Sequence, residues 1–323
     1  MVQQKIFKIA ARANSLWIEV FYESLNTLCL MSGKEFFLHR YKKLGWTYEE
    51  VKLEQAIRIN TMNAQQERVI ERLRQRGVKL EKITYLLQGY WVRSKFSVGA
   101  TAEYLLGLYS IQEAAAQIPA TLFSELSRRK VLDACAAPGG KTVQLADLMG
   151  NNGVIVALDL RKQRLTALAN QLERCRVRNT AVYYLDARRV SQLDRKFDCI
   201  LLDMPCSGNF AADKSWFRRR TLADVERNAK LQKEILAEAT RVLSEDGEIV
   251  YSTCSLEPEE DELNIDWAVK SLKLEVEEVD CCGQEALTNV FGKRLDSSVS
   301  RARRIWPGRT QGFFVCKLRR EHA

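Results

Sequence analysis

From residue 131 onward the chain repeats one unit, a short apolar strand followed by an amphipathic helix. "KVLDAC" leads through a glycine turn into a helix ending near Met149, and "GVIVALD" leads into a helix over 161–175. "AVYYLD" and "FDCILLD" follow, then a helix over 221–243, the strand "GEIVYSTC", a helix over 258–272, and the strands "LEVEEV" and "GFFVCKL". Such alternation builds an α/β fold, a Rossmann-like, doubly wound and mostly parallel sheet with helices on both faces. Sheets of this kind bind ligands beyond the carboxyl ends of their strands, where the strand order reverses.

Four of these strands carry an aspartate at or near that end: Asp133, Asp159, Asp186 and Asp203. Asp133 precedes "ACAAPGGKT", in which Gly139 and Gly140 let backbone approach a ligand at a helix N-terminus. Asp159 follows Asp133 by 26 residues (159 − 133), where a ribose-binding acid belongs. A nicotinamide dinucleotide is the rival ligand, but "AAPGG" lacks the G-x-G-x-x-G fingerprint and four carboxylates make a poor cradle for a diphosphate. They suit S-adenosylmethionine, which has no phosphate and a cationic sulfonium. The alternative is that some of the four only cap helices.

The residues before 131 read differently. Helix is expected over 3–44, a strand at "AIRINT", a helix over "AQQERVIERLRQRG" and a second strand at "KITYLL", 82–87. This defines a helical and α+β unit over 1–110, expected to grip RNA, ahead of a catalytic domain over 111–323. The N-terminal stretch has no acid before Glu19, as in a transit peptide, but its apolar spacing favours a helix of the mature protein. The net charge of +9 favours a polyanion such as nucleic acid over other partners. Nine cysteines without a CxxC fit a reduced cytoplasmic setting, and two histidines leave little for a zinc site or a Ser-His-Asp triad. No apolar run is long enough to span a membrane; neither metal nor membrane is expected.

Two thiols stand out. Cys206 lies in "DMPCSG" after one strand and Cys254 in "YSTCS" at the end of the next; adjacent strand ends bring them to one pocket with Asp203. Each is either a nucleophile or a small buried hydrophobe. A helix expected from Pro258 would favour a thiolate at Cys254, while Glu257, Glu259 and Glu260 would oppose it. Cys175, Cys199, Cys316 and the Cys281–Cys282 pair read as packing.

Together "DACAAPGGKT", "DMPCSG" and "YSTCSLEPEEDE" resemble the NOL/NOP/SUN family of RNA cytosine-5 methyltransferases, and "GATAEYLLGLYSIQEAAAQIPA" and "RIWPGRTQGFFVCKL" resemble its lead-in and last strand. The likeness covers about 99–318 and implies a class I methyltransferase. It implies a cofactor set of Cys135, Ala136, Ala137, Pro138, Gly139, Gly140, Lys141, Asp159, Arg164, Asp186 and Asp203. Asp159 would hold the ribose hydroxyls, Asp186 would lie by the adenine and Asp203 would touch the target cytosine. It makes Cys254 the nucleophile that adds to cytosine carbon 6, and Cys206 the residue that assists product release. Met204, Asn209, Phe210 and Gln311 depart from the common pattern. The short, archaeal-like form favours tRNA over rRNA, with a non-catalytic RNA-binding scaffold as the other reading.

For RNA contact the sequence offers basic clusters at 72–76, 128–130, 218–220, 301–304 and 319–320, with Trp91, Trp216 and Trp306 near several of them. Aromatics of this kind stack on bases, though basic clusters are also ordinary solvated faces. The cluster in "DKSWFRRR" has the best claim, because it follows the "PCSG" loop.

Overall fold

The computed structural model describes residues 33–321. Of the helix expected over 3–44, the stretch Gly33–Lys43 is helical; its earlier part and His322 lie outside the described residues.

Four short strands, β1 (Ala56–Ile59), β2 (Lys79–Lys82), β3 (Gly89–Arg93) and β4 (Tyr109–Ile111), form an antiparallel sheet in the order β2-β3-β1-β4. The helix Gln66–Gln75 buries Val69 and Leu73 against Ile57, Ile59 and Tyr109 of this sheet. The strand expected at 82–87 is not there; the strand ends at Lys82 and the chain turns. Ile83 and Leu86 are both buried, a spacing of three that a strand would send to opposite faces. Lys82 Nζ closes the turn on the carbonyl of Leu86 at 2.5 Å. β3 and β4 went unread because β3 is buried along most of its length, so it shows no alternation, and β4 has three residues.

The second sheet contains β5 (Lys130–Asp133), β6 (Val154–Asp159), β7 (Thr180–Tyr184), β8 (Phe197–Asp203), β9 (Leu243–Thr253), β10 (Leu274–Glu277), β11 (Gln284–Glu285), β14 (Arg303–Ile305) and β15 (Phe313–Arg320). β12 (Asn289–Val290) and β13 (Lys293–Arg294) pair only with each other. Along the sheet the order is β11-β14-β15-β9-β8-β5-β6-β7, with β10 on β15. The strands β9-β8-β5-β6-β7 are parallel, and the C-terminal strands pair antiparallel. The chain runs from β5 outward through β6 and β7, then returns to β8 on the other side of β5. The order therefore reverses between β5 and β8, the position where such sheets hold ligands.

Both faces of this sheet are covered. Ile200 and Leu202 of β8 join a core with Leu236 and Ile265, whereas Cys199 and Leu201 join one with Leu145 and Ile118. β15 divides its side chains in the same way, with Phe314 and Cys316 to one core and Phe313 and Val315 to the other. The helix expected from Pro258 begins at Glu262; residues 258–261 form a turn. Asp261 is far from helical there, at φ −113° and ψ −105°, because its carboxylate is drawn to Thr253 and Arg304. No helix of the described residues is long and apolar enough to cross a membrane.

A buried ion pair joins the first sheet to the helix Gly140–Leu148. Arg58 of β1 donates to Asp147, in the last turn of the helix Gly140–Leu148, at 3.0 Å. The same carboxylate accepts from Thr61 N, Thr61 Oγ1 and Met62 N at 3.1, 3.0 and 2.6 Å. Asp147→Ala would leave the fully buried Arg58 without its counter-charge. Urea unfolding should show a loss of about 3–5 kcal/mol, partly restored by adding Arg58→Met. A loss below about 1 kcal/mol, as for a surface pair, would contradict this.

Candidate active site

The glycine turn is set by close packing. Gly139 sits at φ +108°, and a Cβ there would lie 2.9 Å from Leu168 Cδ1. Ala136 N donates to Leu158 O at 2.8 Å, which draws the loop across the ends of β5 and β6. Ala136 and Ala137 are buried, Pro138 is exposed, and Cys135, Gly140 and Lys141 are half-buried. Burial pushes the Cys135 thiol well up.

The four strand-end aspartates have different surroundings. Asp133 is buried, with one oxygen accepting from Thr142 Oγ1 at 2.7 Å and the other without a hydrogen-bond partner. Asp159, 5% exposed, accepts from Arg161 N at 2.8 Å and lies 3.4 Å from Arg164 Nη1. Arg164 also donates to Ala137 O, so it ties the glycine turn to Asp159. Asp186 caps the 3-10 segment Ala187–Leu193 and pairs with Arg188 at 2.7 Å. The hydrogen bond from Arg188 holds its carboxyl below the usual range. Asp203 accepts from Lys141 Nζ at 2.8 Å and from Ser252 Oγ at 3.1 Å.

β8 and β9 pair in parallel with Asp203 opposite Ser252, so the loops that follow them emerge side by side. Cys206 Sγ and Cys254 Sγ lie 3.1 Å apart, as adjacent strand ends require. The hydrogen bond with Cys254, then burial, pushes the Cys206 thiol well above its ordinary value. Burial opposes the charge on Lys141, but Asp203 outweighs it, and Cys254 adds to the same effect. The site thus places a cation, a carboxylate and two thiols together, an arrangement suited to nucleophilic addition followed by elimination.

Residues that sequence reasoning passed over hold this geometry. Ser207 N and Oγ donate to the two oxygens of Glu260 at 2.9 and 2.6 Å. Asn209, a departure from the family pattern, donates to Cys254 O at 2.8 Å and to Gly312 O at 3.0 Å. Gln232 donates to Pro205 O at 2.9 Å. Thr253 Oγ1 donates to Asp261 at 2.6 Å, and the fully buried Arg304 reaches both Asp261 and Glu262. The acids after Cys254 are therefore engaged elsewhere: Glu257 and Glu259 with Arg40, Glu260 with Ser207. The helix starts at Glu262, eight residues past Cys254 (262 − 254), four residues later than Pro258. The readable signal was the acid run itself, too dense for an apolar neighbourhood without buried partners.

The aromatic expectation needs correction. Trp91 and Trp216 are 5% and 1% exposed, and Trp216 Nε1 donates to Ser207 O at 2.8 Å, so neither offers a face to a base. Trp306 is half-buried and stacked on Trp46, with centroids 5.3 Å apart.

A family model described as 16S rRNA methyltransferase RsmB/F matches residues 120–319, and one described as the N-terminal domain of 16S rRNA methyltransferase RsmF matches residues 32–114. Among curated proteins, a 28S rRNA (cytosine-C(5))-methyltransferase of Mus musculus is 34% identical over 281 residues, covering 82% of this chain and 35% of that protein. Ribosomal RNA small subunit methyltransferase F of Vibrio campbellii is 38% identical over 218 residues, covering 65% and 46% respectively. The chain thus spans less than half the length of these two relatives. A methyltransferase homolog protein from Pyrococcus horikoshii superposes with a TM-score of 0.78 at 36% identity, over 83% of this chain and 87% of that one.

Burial raises the Asp133 carboxyl from its usual 3.8 to about 7. Between those values the folded protein holds a proton that the unfolded chain has released, so stability falls as pH rises through that window and levels off above it. Asp133→Asn cannot ionise. The urea midpoint of Asp133→Asn relative to wild type should therefore climb as pH rises from 3.8 to about 7. A difference independent of pH would show that Asp133 is ionised in the fold.

Proposed function

This chain belongs to the RsmB/F methyltransferase family, and from that membership we propose that it transfers a methyl group from S-adenosylmethionine to carbon 5 of a cytosine in RNA. The observation that carries the reading is the pair of thiols 3.1 Å apart at neighbouring strand ends, beside the Lys141–Asp203 ion pair. The residues of the cofactor set fit the ligand. Asp159 stands at the end of β6 where ribose hydroxyls are bound, the φ of Gly139 brings backbone close, and the unpartnered oxygen of Asp133 awaits a donor. When bound, S-adenosylmethionine supplies an electrophilic methyl on sulfur.

Carbon 5 of cytosine is too weak a nucleophile to take that methyl unaided. Cys254, as thiolate, adds to carbon 6, and the ring gains electron density at carbon 5. Lys141 and Asp203 stand at the developing charge on the ring, a preorganised electrostatic role. After transfer, water takes the carbon 5 proton, the carbon 6–sulfur bond breaks and Cys254 departs as thiolate. Cys206, in contact with Cys254, donates a hydrogen bond to that leaving sulfur and so assists the elimination.

The names of the relatives favour ribosomal RNA as the substrate class, with transfer RNA as the alternative. Bisulfite sequencing of both RNA classes from a strain lacking the gene separates the two by which cytosine loses its mark.

Cys254→Ala should be inactive and form no protein–RNA adduct. Cys206→Ala should still attack and then fail to release, leaving a covalent species on a denaturing gel; an adduct from Cys254→Ala alone would reverse the roles. Asp159→Ala should weaken S-adenosylmethionine binding by roughly tenfold or more in calorimetry, the scale of lost hydrogen bonds to a charged group. Unchanged affinity would remove Asp159 from the site.

A further inference from the structure

The loop that carries Cys206 continues into a cleft of roughly 370 Å³. Three stretches of chain form it: the start of the helix Gly33–Lys43, residues 48–51, and residues 210–218. Phe210 forms a buried floor, and its ring stacks on Phe217, with centroids 5.0 Å apart and planes at 14°. Tyr48 stands against Phe210 at 5.4 Å, and both Tyr48 and Phe217 are half-buried. Three exposed cations rim the cleft: Lys34, whose ammonium lies 4.9 Å from the centre of the Tyr48 ring, Lys214 and Arg218. Glu50 is the acid among the lining residues. Residues 33 and 217 are in close contact, since a Cβ on Gly33 would lie 2.7 Å from Phe217 O.

We propose that this cleft holds a nucleobase flanking the target cytosine, stacked against Tyr48 and Phe217, with the adjoining phosphates on Lys34, Lys214 and Arg218. The inference rests on the RNA-methylating reading and goes beyond it by naming where a neighbouring nucleotide is gripped. Several observations argue for RNA as the occupant. The cleft combines aromatic faces with a cationic rim, the chemistry that single-stranded nucleic acid recognises. Its floor residue Phe210 is four residues past Cys206 (210 − 206), and Asn209 between them is hydrogen-bonded to Cys254 O. A strand whose cytosine is turned out toward the thiols must pass close to this opening, because the same loop forms both. The neighbour of an extruded base loses its stacking partner, and an aromatic cleft restores one.

Fluorescence anisotropy with two labelled probes tests this: a single-stranded oligoribocytidylate and an abasic ribose-phosphate oligomer of equal length. Tyr48→Leu combined with Phe217→Leu keeps apolar bulk and removes the aromatic faces. This variant should bind the base-bearing oligomer about tenfold more weakly, the scale of one lost base–aromatic stack, and the abasic one like wild type. Lys34→Ala, Lys214→Ala and Arg218→Ala combined, all exposed residues, should weaken both and flatten the salt dependence. S-adenosylmethionine affinity serves as the check on folding, and Tyr48→Leu alone replaces the double variant if that fails it. Equal binding of the base-bearing oligomer by wild type and the aromatic variant overturns the inference. A wild-type protein that transfers no methyl to RNA overturns the reading beneath it, which is a different result.

Discussion

Between Glu257 and Glu262 four carboxylates have no exposure at all, and a fifth, Glu259, is half-buried. Charges in such a place are tolerated only with partners, and here the partners come from distant parts of the chain. Arg40 takes Glu257 and Glu259, Ser207 takes Glu260, and Arg304 takes Asp261 and Glu262. The rest of the site depends on this arrangement. It halts the helix short of Cys254, pulls the Cys206 loop against the Cys254 loop through Glu260, and fixes the end of β9 through Thr253. Because the carboxylates are tied to three separate parts of the chain, at Arg40, Ser207 and Arg304, the thiols are held from several directions.

The thiol contact illustrates how neighbouring groups divide a task. Cys206 and Cys254 have the same chemistry in isolation. The hydrogen bond between them, the burial of Cys206 and the nearby Glu260 push the Cys206 thiol up, while Lys141 stands on the side of Cys254. The two thiols thus stand in different surroundings although they touch.

Much of this was legible before any coordinates. The β-α rhythm gave the sheet, the strand-end aspartates and glycine turn pointed to the edge at which the strand order reverses, and parallel neighbours implied that Cys206 and Cys254 meet. Those inferences rest on local signals, periodicity and turn chemistry, which a single sequence carries well. The strand expected at 82–87 gives way to a local turn closed by Lys82 on Leu86, and the helix expected from Pro258 was a local reading overridden by contacts from elsewhere. Glu257 meets Arg40 across 217 positions, and Glu262 meets Arg304 across 42. One sequence shows the acid without showing what answers it. Trp216 was misread in the same way: a tryptophan among arginines looked like a stacking platform, yet its indole is anchored to Ser207 inside the core.

Two of the buried pairs cross from the N-terminal stretch to the loop after β9 and to the helix Gly140–Leu148, Arg40 with Glu257 and Arg58 with Asp147. Their consequence is genealogical. A recombination event that moved the strand-and-helix core onto a new leader would strand two interior acids without cations, and a leader grafted elsewhere would carry two arginines with nothing to neutralise them. Lineages descended from such a chain are therefore expected to inherit both halves together, and to change the partners of each pair in step when they change them at all.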